Sequence, residues 1–123
     1  MLCLLLWPVL AVAHVAPGSG GDGGLVSGLL HPITGLDHVV AMIAVGLWGA
    51  QLGAPALWVL PIAFPLVMAL GGMLGVTGVP LPFVESGIAV SGIVLGLMVA
   101  FAVRPLLWLA FLLVACFAVF HGH

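Results

Sequence analysis

Charge is what this chain has least of. Its 123 residues include one basic side chain, Arg104, and three acidic ones, so charged residues make up only 3%. A soluble domain carries about 25%. With 65% hydrophobic residues and a mean hydropathy of +1.50, there is too little polar surface to cover a water-soluble globule. The composition therefore assigns the chain to a lipid bilayer. The absence of a basic patch excludes nucleic acid as a partner. Cysteine is almost missing too. Cys3 and Cys116 cannot build a disulfide framework or a thiolate metal site, and Cys116 reads as a small buried hydrophobe. No strand pattern, strong repeat or low-complexity segment is present. HExxH and GxSxG motifs are lacking, so the chain reads as not an enzyme. No ATP motif exists either, which leaves an ion gradient, the membrane potential or trapping by a cytoplasmic metal chaperone as energy sources.

What is there is apolar sequence cut by glycine and proline. Residues 1–13, "MLCLLLWPVLAVA", are shorter than the roughly 20 residues a span needs. They end in an A-x-A pattern, as a cleaved secretory signal peptide does, with an uncleaved anchor as the alternative. Residues 14–28 open with "HVAPGSGGDGG" and read as a flexible periplasmic linker holding His14 and Asp22. After them, residues 29–123 read as an all-α, polytopic transmembrane helical bundle. Its spans lie at about 29–52, 56–76, 83–103 and 105–121, joined by "GAP", "TGVPLP" and "RP". Pro61 and Pro65 predict a kink in the second span. Cleavage of the signal puts the new N-terminus, led by His14, outside, and Arg104 then falls inside, in keeping with the positive-inside rule.

This topology gathers the rare ionisable groups at the outer ends of the spans. Each such group costs about 2.5–3.5 kcal/mol to insert at mid-membrane, so such groups face the bundle interior and mark ion paths. "HPITGLDH", residues 31–38, opens the first span. On an ideal helix His31 and His38 point within about 20° of each other, with Met42 on the same stripe and Asp37 turned about 100° to the flank. Met42 reads as packing. Glu85 opens the third span, and Ala89, Gly92 and Gly96 lie within about 40° of it. Gly92 and Gly96 form a GxxxG pair, as do Gly71 and Gly75, so Glu85 is expected to face a neighbouring helix. His121 and His123 end the fourth span. Two residues apart, they point to opposite sides of a continuous helix. Imidazoles with carboxylates suit borderline divalent metals such as nickel, cobalt, zinc or copper. The plain alternative is that single histidines form structural hydrogen bonds.

Three stretches carry a resemblance to a known family: "HPITGLDHVVAMIAVGLWGAQLG" (31–53), "ESGIAVSGIVLGL" (85–97) and "FHGH" (120–123). The chain resembles the HupE/UreJ nickel and cobalt membrane transporters over nearly its whole length. The resemblance implies a helical permease of the bacterial inner membrane that brings Ni²⁺ or Co²⁺ inward, for hydrogenase, urease or a cobalt-dependent pathway. It carries over His31, Asp37, His38, Glu85, His121 and His123 as metal ligands, on the periplasmic side, with no prosthetic group. Members of that family continue past "HGH" with a further histidine and acid and about two more helices. The chain thus resembles a C-terminally truncated member, and those helices join the lipid bilayer and the chaperone as expected partners. The rival readings are a metal-binding accessory that hands metal to a partner without transporting it, an intramembrane hydrolase, and a structural membrane protein.

Overall fold

Glycine ends the first two helices where the apolar runs break. A computed structural model describes residues 35–123, which form α1 (Leu36–Leu52), α2 (Ala56–Val76), α3 (Val84–Ala100) and α4 (Leu107–Gly122), with no strand among them. Residues 1–34, with the signal, the linker, His14, Asp22 and His31, lie outside the described residues. Gly53 stops α1 with φ at +81°, a conformation glycine adopts without a Cβ clash. Gly78 does the same for α2 at +78°. Its N–H bonds to the Gly75 carbonyl, while that of Val79 reaches back to the Leu74 carbonyl, so these two carbonyls in the last turn of α2 are satisfied. Helix α3 stops at Ala100, before the expected end of the third run, because Ala102 turns to a φ of +47°. Extended Leu106 then delays α4 to Leu107. Pro61 and Pro65 both lie inside α2.

The helices alternate in direction. Gly49 of α1 lies against the start of α2 at Ala56. At the far end of α2, Gly71, Gly72 and Gly75 lie against Val119, Gly122 and His123 of α4 and its terminus. The Gly71/Gly75 pair expected as a helix seam is therefore the place where α2 and α4 meet backbone to backbone. Helix α1 packs on α2 and α3, and α4 packs on α2 and α3, so the four helices form a ring in the order α1, α2, α4, α3. Trp48, Leu60, Phe64, Leu95, Val45 and Val114 fill its centre. The Trp48 indole N–H donates to Val103 O at 2.8 Å, and Gln51 Nε2 donates to Val99 O at 3.0 Å. These bonds tie the end of α1 to the end of α3, near exposed Arg104. Trp48→Phe keeps most of the buried ring and loses one hydrogen bond. It should lower stability by about 1 kcal/mol, read as a fall in the thermal unfolding midpoint.

The exterior is as apolar as the interior. Val40, Ile43 and Leu47 point outward from α1, as do Trp58, Ile62 and Leu66 from α2, Ile93 and Leu97 from α3, and Trp108 and Leu112 from α4. By contrast, the buried polar side chains among the described residues are His38, Ser91 and His121. Contiguous exposed apolar surface of this kind marks contact with a partner or a membrane. Helix α2 alone among the described helices is long and apolar enough to cross a bilayer by length and composition, while α1, α3 and α4 are shorter apolar helices.

Two sequence expectations are corrected. Cys116 is exposed, not buried, because it lies on the side of α4 opposite to Ala110, Val114, Ala118 and His121. Glu85 is exposed, and a Cβ placed on Gly92 or Gly96 would meet nothing within 4 Å. The seam of α3 is instead its Ser91–Leu95 stripe, about 120° around the helix from Glu85. Leu95 and Ser91 fill interior volume that glycines cannot, so the glycine face is left outside.

Candidate metal centre

Three helices bring polar atoms to one end of the ring. Gly35, in extended conformation, opens α1, and the Val39 N–H bonds to its carbonyl. This places Asp37 and His38 in the first turn, with His38 on the buried face and Asp37 on its flank. The last turn of α4 supplies His121 from the opposite direction. Helix α3 supplies Ser91, and α2 presents Phe64, whose ring lies 5.5 Å from that of His121 at 61°. His38 and His121 are each only 5% exposed. The Asp37 side chain remains 45% exposed.

One ligand atom from each of Asp37, His38 and His121 lies within 4.8 Å of the others. Asp37 Oδ1 is 3.0 Å from His38 Nδ1. The other ring nitrogen of His38, Nε2, is 2.6 Å from the main-chain oxygen of His121. A carbonyl only accepts, so Nε2 carries the hydrogen and donates. That leaves Nδ1 as the atom of His38 that faces the carboxylate. A proton or a metal ion between them makes the pair attractive. The two imidazoles stand edge to face, with centroids 5.2 Å apart at 85°. His121 Nε2 is 2.7 Å from Ser91 Oγ, and His121 Nδ1 is buried without a hydrogen-bond partner among the described residues. A buried bare nitrogen is costly unless something binds it. Two imidazole nitrogens and one carboxylate oxygen form a donor set for a borderline divalent cation.

The remaining sequence candidates lie apart from this triad. Glu85 sits in the first turn of α3, exposed, at the same end of the ring. His123 Nε2 donates to Val79 O at 2.7 Å, in the loop between α2 and α3. It is separated from the triad because α4 runs on through Gly122, so His121 and His123 diverge as helical spacing requires. Met42 is partly buried and packs against the core, as its sequence position suggested. His31 lies outside the described residues. Sequence reasoning passed over Ser91. The available signal was that Ser86 and Ser91 are the only hydroxyls in the third apolar run, and that only Ser91 lies well inside it.

Comparison with known proteins gives a consistent result. Residues 2–123 match the family described as HupE / UreJ protein. Protein HupE of Rhizobium leguminosarum bv. viciae is 49% identical over 122 residues. The alignment covers 99% of this chain and 62% of that relative. No solved structure matches the chain.

Proposed function

The chain belongs to the HupE / UreJ protein family, and from that premise we propose that it is a multi-pass bacterial inner-membrane protein that takes up a divalent metal ion, nickel first and cobalt second, to supply hydrogenase or urease. The observation that carries this reading is the cluster of exposed Asp37 with buried His38 and His121, whose donor atoms gather within 4.8 Å from two helices distant in sequence. The apolar exterior, with the buried polar side chains gathered at one end of the ring, supports a bilayer setting, as does the scarcity of charge. Arg104, at the other end of the ring from the triad, supports placing the triad on the periplasmic side.

The gradient of exposure suggests how an ion is captured. Asp37 is the member open to solvent, and its carboxylate attracts the hydrated cation. His38 and His121 lie behind it and replace waters with imidazole nitrogens, which offsets the loss of hydration. Glu85 and His123, at the same end, are proposed to guide the ion toward the triad, and His31 completes the proposed set from outside the described residues. Release inward requires a rearrangement that breaks the triad. Helix α4 is the natural mover, because it carries His121 and the carbonyl that holds His38.

Radioactive nickel accumulation at trace metal tests this reading in cells expressing the chain or its His38→Ala variant, with cobalt as the second ion. Raised uptake that His38→Ala abolishes is the expected result. Metal binding by the purified chain without uptake would instead make it an accessory that hands metal to a partner. No binding and no uptake of either ion would end the metal reading. The chain spans 62% of the length of the curated relative, so the same assay on a version extended to that length separates a need for further helices from a failure of the triad.

A further inference from the structure

The proposed ligand set leaves Ser91 without a role, although it is completely buried. Its hydroxyl has one hydrogen to give. Ser91 Oγ lies 2.6 Å from Ile88 O, and because a carbonyl only accepts, the hydrogen points there. This is the back-bond that a serine makes within its own helix. Only lone pairs then remain on Oγ for the contact of 2.7 Å with His121 Nε2. Two lone pairs repel at that distance, so Nε2 carries a hydrogen and donates it to Ser91. In a neutral imidazole the other nitrogen is then bare. That atom is Nδ1, which is buried with no hydrogen-bond partner among the described residues.

We propose that Ser91 is a positioning residue for metal capture: by accepting from His121 Nε2–H it fixes the ring in the tautomer and orientation that present Nδ1 to the ion held by Asp37 and His38. This rests on the reading of Asp37, His38 and His121 as a metal site. The two histidines then follow one rule. Each is anchored through an Nε2–H, His38 to the His121 carbonyl and His121 to the Ser91 hydroxyl, and each ligates through Nδ1. Ser91 reaches the ion only through His121, yet it joins α3 to the site. Without it, His121 is free to place hydrogen on Nδ1 or to turn its ring over, and metal binding must first reverse that choice.

Nitrogen-15 imidazole spectra of the metal-free protein read the tautomer directly, and nickel calorimetry reads its effect. His121 in the wild type should show hydrogen on Nε2 and a bare Nδ1. In Ser91→Ala the ring should become a mixture of tautomers, with helix content by circular dichroism unchanged. Nickel affinity should fall about 10- to 100-fold, the usual cost of losing a partner that orients a ligating histidine. Ser91→Thr, which keeps the hydroxyl, should restore the wild-type spectrum and most of the affinity. Hydrogen on Nδ1 of wild-type His121, or wild-type affinity in Ser91→Ala, would overturn the proposal and leave the metal site standing. A wild type that binds neither nickel nor cobalt would overturn the metal site itself, and this proposal with it.

Discussion

Replacing His38 by glutamine is expected to abolish metal binding while leaving the four-helix ring intact. The two nitrogens of His38 do different jobs. Nε2 donates to the His121 carbonyl at 2.6 Å, a structural bond between α1 and α4. Nδ1 faces Asp37 Oδ1 at 3.0 Å, and it is the atom an ion would take. A glutamine amide nitrogen reaches about as far as imidazole Nε2, so His38→Gln retains the structural bond and removes the ligand. Nickel affinity measured by calorimetry should drop by more than about 100-fold, beyond the usual cost of losing a merely orienting partner. His38→Ala should lose affinity equally and, in addition, destabilise the fold by about 1–3 kcal/mol, because it leaves the buried His121 carbonyl unsatisfied. Met42→Ala, one turn further along α1, should bind nickel like the wild type. Retained affinity in both His38 variants would show that the triad is a hydrogen-bonded knot and not a metal site.

The second large effect is expected at a glycine. A Cβ on Gly122 would overlap the main-chain oxygen of Met68 and lie 2.9 Å from the nitrogen of Gly72. Both obstacles are backbone and cannot rotate aside, so Gly122→Ala must push α4 away from α2. The cost should reach or exceed the roughly 1–3 kcal/mol of an overpacked core, read as a lower thermal midpoint. Metal affinity should fall with it, because the displaced turn carries His121. Alanine at Gly92 or Gly96 meets open space. There the same substitution should be neutral or stabilising by up to about 1 kcal/mol, through the better helix propensity of alanine. A loss from Gly122→Ala with none from Gly92→Ala is the signature of this packing. Equal losses at both sites would mean that the glycine face of α3 is also a helix contact.

These variants also mark what could be read from the residues alone. Asp37, His38 and His121 were visible because ionisable groups are rare here and expensive to bury, so each one stands out against leucine and valine. Helix breaks were visible for a similar reason, since glycine and proline interrupt otherwise uniform apolar runs. The facing of α3 was not visible. Its positions are nearly all small or apolar, so no polar side identifies the outside, and the GxxxG at Gly92 and Gly96 looks the same as the one at Gly71 and Gly75. Only the fit of neighbouring side chains separates them. Ser91 escaped notice because a serine in an apolar helix ordinarily satisfies itself on its own backbone. Its second contact, to His121, depends on where α4 lies.

The bond from His38 to the His121 carbonyl joins positions 83 residues apart in sequence, and that separation has a bearing on biosynthesis. While α1, α2 and α3 are being made, Asp37 and His38 are the only members of the triad to have been synthesised. Both the partner of the His38 bond and the third donor of the triad arrive with α4. On the proposed reading of the triad, the order of synthesis itself therefore delays assembly of the site until the last of the four helices is made.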